Sequence, residues 1–317
     1  MKKSLLIIAI FSSLSVFAQQ DPQMTFWMFD RQSFNPGAAG MDPMHCLSLF
    51  YRDQWDGFNR DPKTTLFNYS GNANLGGIRT GVGVTFFNDV LGQEKNNVFR
   101  ASLAPKFDLN GHTLSIGLNF GMMNKKLGAS WVYIDPNDAS IPDKEIAQTK
   151  FDLGFGAVIS QENKYYFGVS VTHLTSADFD NLYYKSSPHV YVMGGYDFPL
   201  SSLPLVIRTN ALVKTDLAAS PAIDLNVNAL YDNMLFGGVS FRPGDAISPM
   251  VGFQTMFADK INAGSILHHG VRLGYAYDVT TSEIRNYSSG SHELFLTYCF
   301  SIDKVPMKIR HNNPRFL

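Results

Sequence analysis

Polar and apolar positions alternate with a period of two along most of this chain. In the last such segment, 291–301, Leu294, Leu296, Tyr298 and Phe300 share one face. Glu293, Thr297 and Cys299 fall on the other, and Phe295 alone is out of step. Lipid takes apolar side chains, a lumen accepts polar ones, and aromatics settle at the bilayer interface, so the pattern reads as a membrane-spanning strand. Between 112 and 123, Leu114, Ile116, Leu118, Phe120 and Met122 alternate with Thr113, Ser115, Gly117, Asn119 and Gly121. Similar segments at 150–161 and 222–232 set Phe151, Leu153 and Phe155 against Asp152, Gly154 and Gly156, and Ile223, Leu225 and Val227 against Asp224, Asn226 and Asn228.

About fourteen such segments fit between turn signals. They lie at 46–54, 63–74, 79–88, 97–108, 112–123, 150–161, 164–175, 188–198, 204–214, 222–232, 234–242, 248–258, 269–278 and 291–301. Strands of about ten residues suit a bilayer better than a soluble sandwich. The expectation is an all-β chain, a transmembrane antiparallel β-barrel of about fourteen strands, with twelve to sixteen as the range. Its periplasmic turns are expected at 75–78, 110–111, 162–163 and 233. Outer loops are expected at 53–62, 89–96, 124–149, 176–187, 215–221, 243–247 and 279–290. The connections 199–203 and 259–268 are longer than that scheme asks.

At the N-terminus, Lys2 and Lys3 precede an apolar run from Leu5 to Phe17 that ends at Ala18. This is the pattern of a Sec signal peptide over 1–18, too short for a transmembrane anchor. The expected division is then an N-terminal periplasmic segment 19–45, a barrel 46–301 and a periplasmic tail 302–317, with both termini periplasmic and the chain in the outer membrane. Net charge is −1, which argues against nucleic acid, since phosphate binding needs a basic patch. Cys46 and Cys299 face inward by parity near the ends of strands that must pair to close the barrel. A disulfide across the seam and two free buried thiols both remain open.

Reactive chemistry is sparse. His292-Glu293 lacks a second His at position 296, and a strand cannot place two zinc ligands on one helical face. His268-His269 reads as a solvated pair in a turn. Gly81-x-Gly83 and Gly154-x-Gly156 fall inside strands, where glycine eases curvature or close packing rather than cradling phosphate. Ser170 and His173 point to opposite faces. No enzyme, metal site or cofactor is expected.

The segments outside the barrel carry the interest. Met24, Phe26, Trp27, Met28, Phe29 and Phe34 would make a poorly soluble free tail, so 19–45 fills the lumen or binds a partner. The tail carries Lys304, Lys308, Arg310, His311 and Arg315 and ends in Phe316-Leu317, a basic arm with an apolar tip. The first outer loop, Arg52 to Phe58, sets Trp55 beside Arg and Asp. That suits a contact patch, and equally an anchor at the membrane interface.

These segments resemble the PorP/SprF family of the Bacteroidetes type IX secretion system. The matching pieces are Gln20-Asp-Pro-Gln23, Asn35-Pro-Gly-Ala-Ala-Gly40, Tyr51-Arg-Asp-Gln-Trp55, Pro62-Lys-Thr64, Gly274-Tyr-Ala-Tyr-Asp278, Tyr287 to Glu293, and Pro314-Arg-Phe316. Gly37 stands where the family usually has Ala, and Leu317 where it has an aromatic. The resemblance implies a non-catalytic outer-membrane barrel tied to secretion and gliding. Its implied partners are periplasmic ring lipoproteins, peptidoglycan-binding proteins, and secreted proteins with C-terminal sorting domains such as adhesins. Arg52, Gln54 and Trp55 outside, Asn35 and Pro36 on the periplasmic side, and Arg315 and Phe316 in the tail are the motif members expected to make contacts. The alternative is a passive porin or small-solute channel.

Overall fold

Lipid outside and polar groups inside can both be satisfied only if the strands close on themselves, because an open edge in a bilayer leaves backbone groups unpaired. The computed structural model, which describes residues 23–57, 59–131, 142–217, 220–262 and 265–304, shows that closure. Fourteen antiparallel strands form the ring. They are β1 (His45–Asp53), β2 (Lys63–Leu75), β3 (Ile78–Leu91), β4 (Glu94–Leu109), β5 (His112–Leu127), β6 (Ile146–Gln161) and β7 (Tyr165–Thr172). After a small pair, β8 (Asp178–Phe179) and β9 (Tyr184–Lys185), come β10 (His189–Leu200), β11 (Leu205–Thr215), β12 (Ala222–Tyr231), β13 (Leu235–Arg242), β14 (Ala246–Asn262), β15 (Ser265–Thr280) and β16 (Ser291–Lys304). Each alternating segment of the sequence corresponds to one barrel strand.

The alternation carries through to the faces. In β5, Leu118, Phe120 and Met122 are exposed on the outside, while Ser115 and Asn119 are buried inside. Asp224, Asn226 and Asn228 of β12 likewise point into the lumen, with Ile223, Leu225 and Val227 outward.

Strand ends differ from the expected ones in an instructive way. β3 and β4 run on to Leu91 and from Glu94, so the outer loop expected at 89–96 is a tight connection at 92–93. β14 and β15 pair as far as Asn262 and Ser265, so the long connection expected at 259–268 is also short. In both places polar residues continue a ladder beyond the apolar band, where backbone pairing, not the side-chain pattern, sets the length. His268 and His269 are consequently strand residues, with the His269 ring 5.4 Å from Phe257, and not a turn pair. Short turns make up one end of the barrel, and the tight connection at 92–93 lies at the other. At Asn110-Gly111, φ is 50° and 88°, as a two-residue hairpin turn requires. The longer connections around 54–62, 128–145, 173–188 and 281–290 gather at the other.

β1 and β16 close the ring in a register that sets Cys46 opposite Cys299 and Arg52 opposite Glu293. The two cysteines form a disulfide across this seam, their Cα atoms 4.0 Å apart. The signal-peptide segment and the tail beyond 304, with Arg315 and Phe316, lie outside the described residues.

Candidate functional site in the lumen

An aromatic segment with no membrane around it must hide its side chains, and 24–44 hides them inside the barrel. Three single turns, Trp27–Phe29, Arg31–Phe34 and Pro36–Ala38, compact it into a plug. Met24, Phe26, Trp27, Met28, Phe34 and Ala38 are buried against lumen-facing Phe50, Leu66, Tyr191, Leu212, Phe236 and Phe295. The Phe26 and Phe295 ring centroids are 4.6 Å apart, and Phe29 stacks on Phe295 at 5.1 Å. Phe295, out of step in the alternation, is therefore an inward wall residue that receives the plug.

The loop end is held by ions. Arg52 of β1 lies almost wholly buried, its guanidinium 2.6 Å from Asp278 and 3.0 Å from Glu293. Glu293 also accepts the backbone N–H groups of Thr25 and Phe26, at 2.7 and 2.8 Å. The Thr25 hydroxyl donates to Asp278 at 2.8 Å and accepts from Arg52 at 2.9 Å. The network continues through Arg242, which meets Asp224 at 2.5 Å and Asp245 at 2.7 Å, and through Lys214, 3.0 Å from Asp224. Charges this deep are tolerated only when paired and hydrogen-bonded.

Nearer the turn end the plug meets the wall through amides. Asn35 donates to the carbonyls of Ala157 and Val169, both at 3.2 Å, and accepts from Gly37 N–H at 2.8 Å. Pro36, at the start of its turn, needs no donor there. Ser170 donates to the Phe34 carbonyl at 2.6 Å. Gln32 reaches the carbonyls of Tyr69 and Val84. On the plug, burial pushes the Asp30 carboxyl up to about 8, against hydrogen bonds from Ser33 and Asn68 that pull it down.

Lumen-side glycines make room for this contact. A Cβ on Gly117 would come within 2.2 Å of the Gly37 nitrogen, one on Gly81 within 1.9 Å of the Ala39 carbonyl, and one on Gly156 within 2.2 Å of the Asn35 side chain. Gly154 instead packs against its neighbour Asn119.

Asn35 and Pro36 are buried in the lumen, nearer its turn end, because an apolar segment is better covered there than in water. Arg52, expected in the first outer loop, is instead a strand residue that pairing with Glu293 holds inside. Gln54 and Trp55 do lie in the first loop, half-buried. Trp55 N–H donates to the Ser291 hydroxyl at 3.0 Å, and Asp56 N–H donates to the Gly290 carbonyl at 2.8 Å. The segments 51–56 and 287–293, distant in sequence, are thereby joined at the loop end.

Met24 to Phe26 lie beside Asp278 and Glu293 at the loop end, whereas His45 and β16's last residues lie at the turn end. The plug has run the length of the lumen, so the two ends of the described chain face opposite mouths.

His173 is another change. Beyond the end of β7, with φ of 54°, it turns inward and sits 2.9 Å from Asp152 and 3.2 Å from Arg100. Ser170 is committed to the plug, so the two do not form a nucleophile–base pair. Asp42 lies near Cys46 and Cys299, whose sulfurs are bound to each other and not offered as thiolates.

A match to the family described as type IX secretion system membrane protein PorP/SprF spans residues 16–298. No curated protein matches. Among solved structures, the Acinetobacter baumannii outer membrane protein Omp33 is similar at 10% identity over 81% of this chain and 98% of that one, with a TM-score of 0.42. The CymD monoaromatic hydrocarbon channel is similar at 10% identity over 86% and 92%, with a TM-score of 0.48. A Pseudomonas aeruginosa FadL homologue is similar at 11% identity over 84% and 92%, with a TM-score of 0.43.

Proposed function

The chain belongs to the PorP/SprF family of type IX secretion system membrane proteins, and from that premise we propose that it is a non-catalytic, plugged outer-membrane scaffold of the secretion and gliding machinery. In this reading it anchors periplasmic ring lipoproteins and peptidoglycan-binding proteins, and supports export or surface attachment of proteins that carry C-terminal sorting domains, adhesins among them. Export by the N-terminal signal segment brings it to the outer membrane. Family membership carries the proposal. The filled lumen supports a scaffold over the porin alternative, since a passive channel needs a continuous wet path and the middle of this lumen is apolar and packed.

Within that reading the contact surfaces divide. Arg52, Asn35 and Pro36 serve from inside by fixing the plug. Gln54 and Trp55, held against 287–293, offer a loop-end surface where an aromatic can anchor a partner. Arg315 and Phe316 belong to a basic arm suited to partners on the periplasmic side.

The test is isolation of the tagged full chain from its native outer membrane in mild detergent, after crosslinking, beside a variant lacking 303–317 and a Trp55→Ala variant. Recovery of ring or peptidoglycan-binding proteins, lost with the tail, is the expected result. A barrel that purifies alone, together with a steady open conductance in planar bilayers, would favour the channel instead.

A further inference from the structure

Between the plug and the wall, on the turn side, lies a cavity of about 340 Å³ bordered by the β6–β7 turn residues Glu162 to Lys164. Its lining combines Arg31 from the plug, Arg208 from β11, Arg272 from β15 and Lys106 from β4. The first three interact electrostatically as like charges: Arg208 and Arg31 both act on Arg272, and Arg31 acts on Arg208. Collecting three cations around one space is unfavourable unless something negative shares it.

Among the described residues, little does. Asp197 lies 3.8 Å from Arg208. Asp42, which acts on Arg272 and Lys106, and Glu162 are exposed at the rim. Asp30 is engaged by Ser33 and Asn68, and its raised carboxyl is largely uncharged at neutral pH. Lys106 donates to the Gly40 carbonyl and Asn72.

The guanidiniums are also held in a way that leaves most of their donors unspent, Arg31 giving one N–H to the Met41 sulfur at 3.6 Å. The Arg31 carbon sits 4.2 Å from the Tyr166 ring centroid, and that of Arg272 5.0 Å from the Phe29 centroid. Cation–π contact fixes a guanidinium plane without using its N–H groups. Arg272 spends Nε on Gln254 at 3.0 Å. Nε of Arg31 and Nε of Arg208 are buried without a hydrogen-bond partner. A planar fork with spare donors matches the paired oxygens of a carboxylate or phosphate.

We propose that this turn-side vestibule is a binding site for a small multiply charged oxyanion, bearing carboxylate or phosphate groups, gripped by Arg31, Arg208 and Arg272. The inference stands apart from the secretion reading, since it rests on the lumen alone. It makes the plug's inner face a part of the site, because Arg31 and Phe29 both come from it.

The experiment is calorimetric titration of the full chain in a neutral detergent at low salt, with citrate as one probe and inorganic phosphate as the other. Saturable binding of either supports the site and names its preferred chemistry. Affinity should fall steeply with added salt. Arg208→Gln and Arg272→Gln should each weaken binding about tenfold or more, as loss of a charge-assisted contact does. Lys125→Gln, on the loop side of the barrel, should leave it unchanged. Heat-modified migration on gels checks that each variant remains a folded barrel. The proposal falls if neither probe binds the unaltered protein, or if binding is the same in the two arginine variants.

Discussion

Glu293 holds two things at once: the guanidinium of Arg52 on the adjacent strand at 3.0 Å, and the Thr25 and Phe26 N–H groups of the plug at 2.7 and 2.8 Å. The strand seam and the plug therefore share one carboxylate. Removing one partner of a buried ion pair costs about 3–5 kcal/mol, and here the strain falls where the plug is tied. Arg52→Met and Glu293→Gln should each loosen residues 24–30 while the barrel persists. In planar bilayers the unaltered protein should be silent, and both variants should show discrete openings. Silence in all three would mean that the apolar cluster alone keeps the lumen shut.

Glycine provides an independent way to unseat the plug. At Gly117 a side chain would collide with the Gly37 nitrogen and the backbone of Pro36, both fixed. Gly237 has only the Met250 carbonyl nearby, at 3.6 Å, an ordinary contact. Gly117→Val should make 24–44 accessible to added protease in detergent, whereas Gly237→Ala should leave it protected. Equal protection in both would show that the wall yields instead.

The barrel was legible because lipid imposes a strict period on every strand, and each alternating segment became one. The plug was half-legible. Composition says that Met24, Phe26, Trp27 and Phe34 must be covered, but periodicity cannot say by what. The trace it left was in the wall: Phe295 breaks parity because it faces the plug, Gly81 and Gly117 sit where the plug backbone passes, and Gly156 where the Asn35 side chain does. The Arg52–Asp278–Glu293 cluster was beyond reach, since it needs the register of β1 against β16 and the side chains of three strands. Strand ends escape the pattern where the ladder outlasts the apolar band, as at 92–93.

The disulfide bridges the two strands whose pairing closes the ring, across 253 residues of sequence. A cross-link of this span typically contributes about 2–5 kcal/mol, yet the β1–β16 ladder exists without it. Cys46→Ser with Cys299→Ser should therefore still give a closed barrel. Its folded, fast-migrating form on gels should be lost at a lower temperature than in the unaltered protein. Adding a reductant to the native protein should reproduce that fall. A variant that never reaches the fast-migrating form would make the bond a requirement of assembly rather than a brace.

Plug seating should also depend on pH through Asp30. Its carboxyl rises from an ordinary 3.8 to about 8 when buried, chiefly by desolvation, with Glu293 adding repulsion and Ser33 and Asn68 opposing. Between those two values the seated plug holds a proton that the released plug gives up. Seating is then favoured toward the acid side, weakens as pH rises from about 4 to about 8, and changes no further once Asp30 is ionised in both states. Openings in planar bilayers should be more frequent at pH 8.5 than at pH 5.5. Asp30→Asn, which stays neutral and keeps an oxygen to accept from Ser33 and Asn68, should flatten the dependence. The Arg52–Asp278–Glu293 cluster is common to both proteins, so the difference between their pH profiles reads Asp30 alone. Parallel profiles would place the titrating group elsewhere on the plug or its wall.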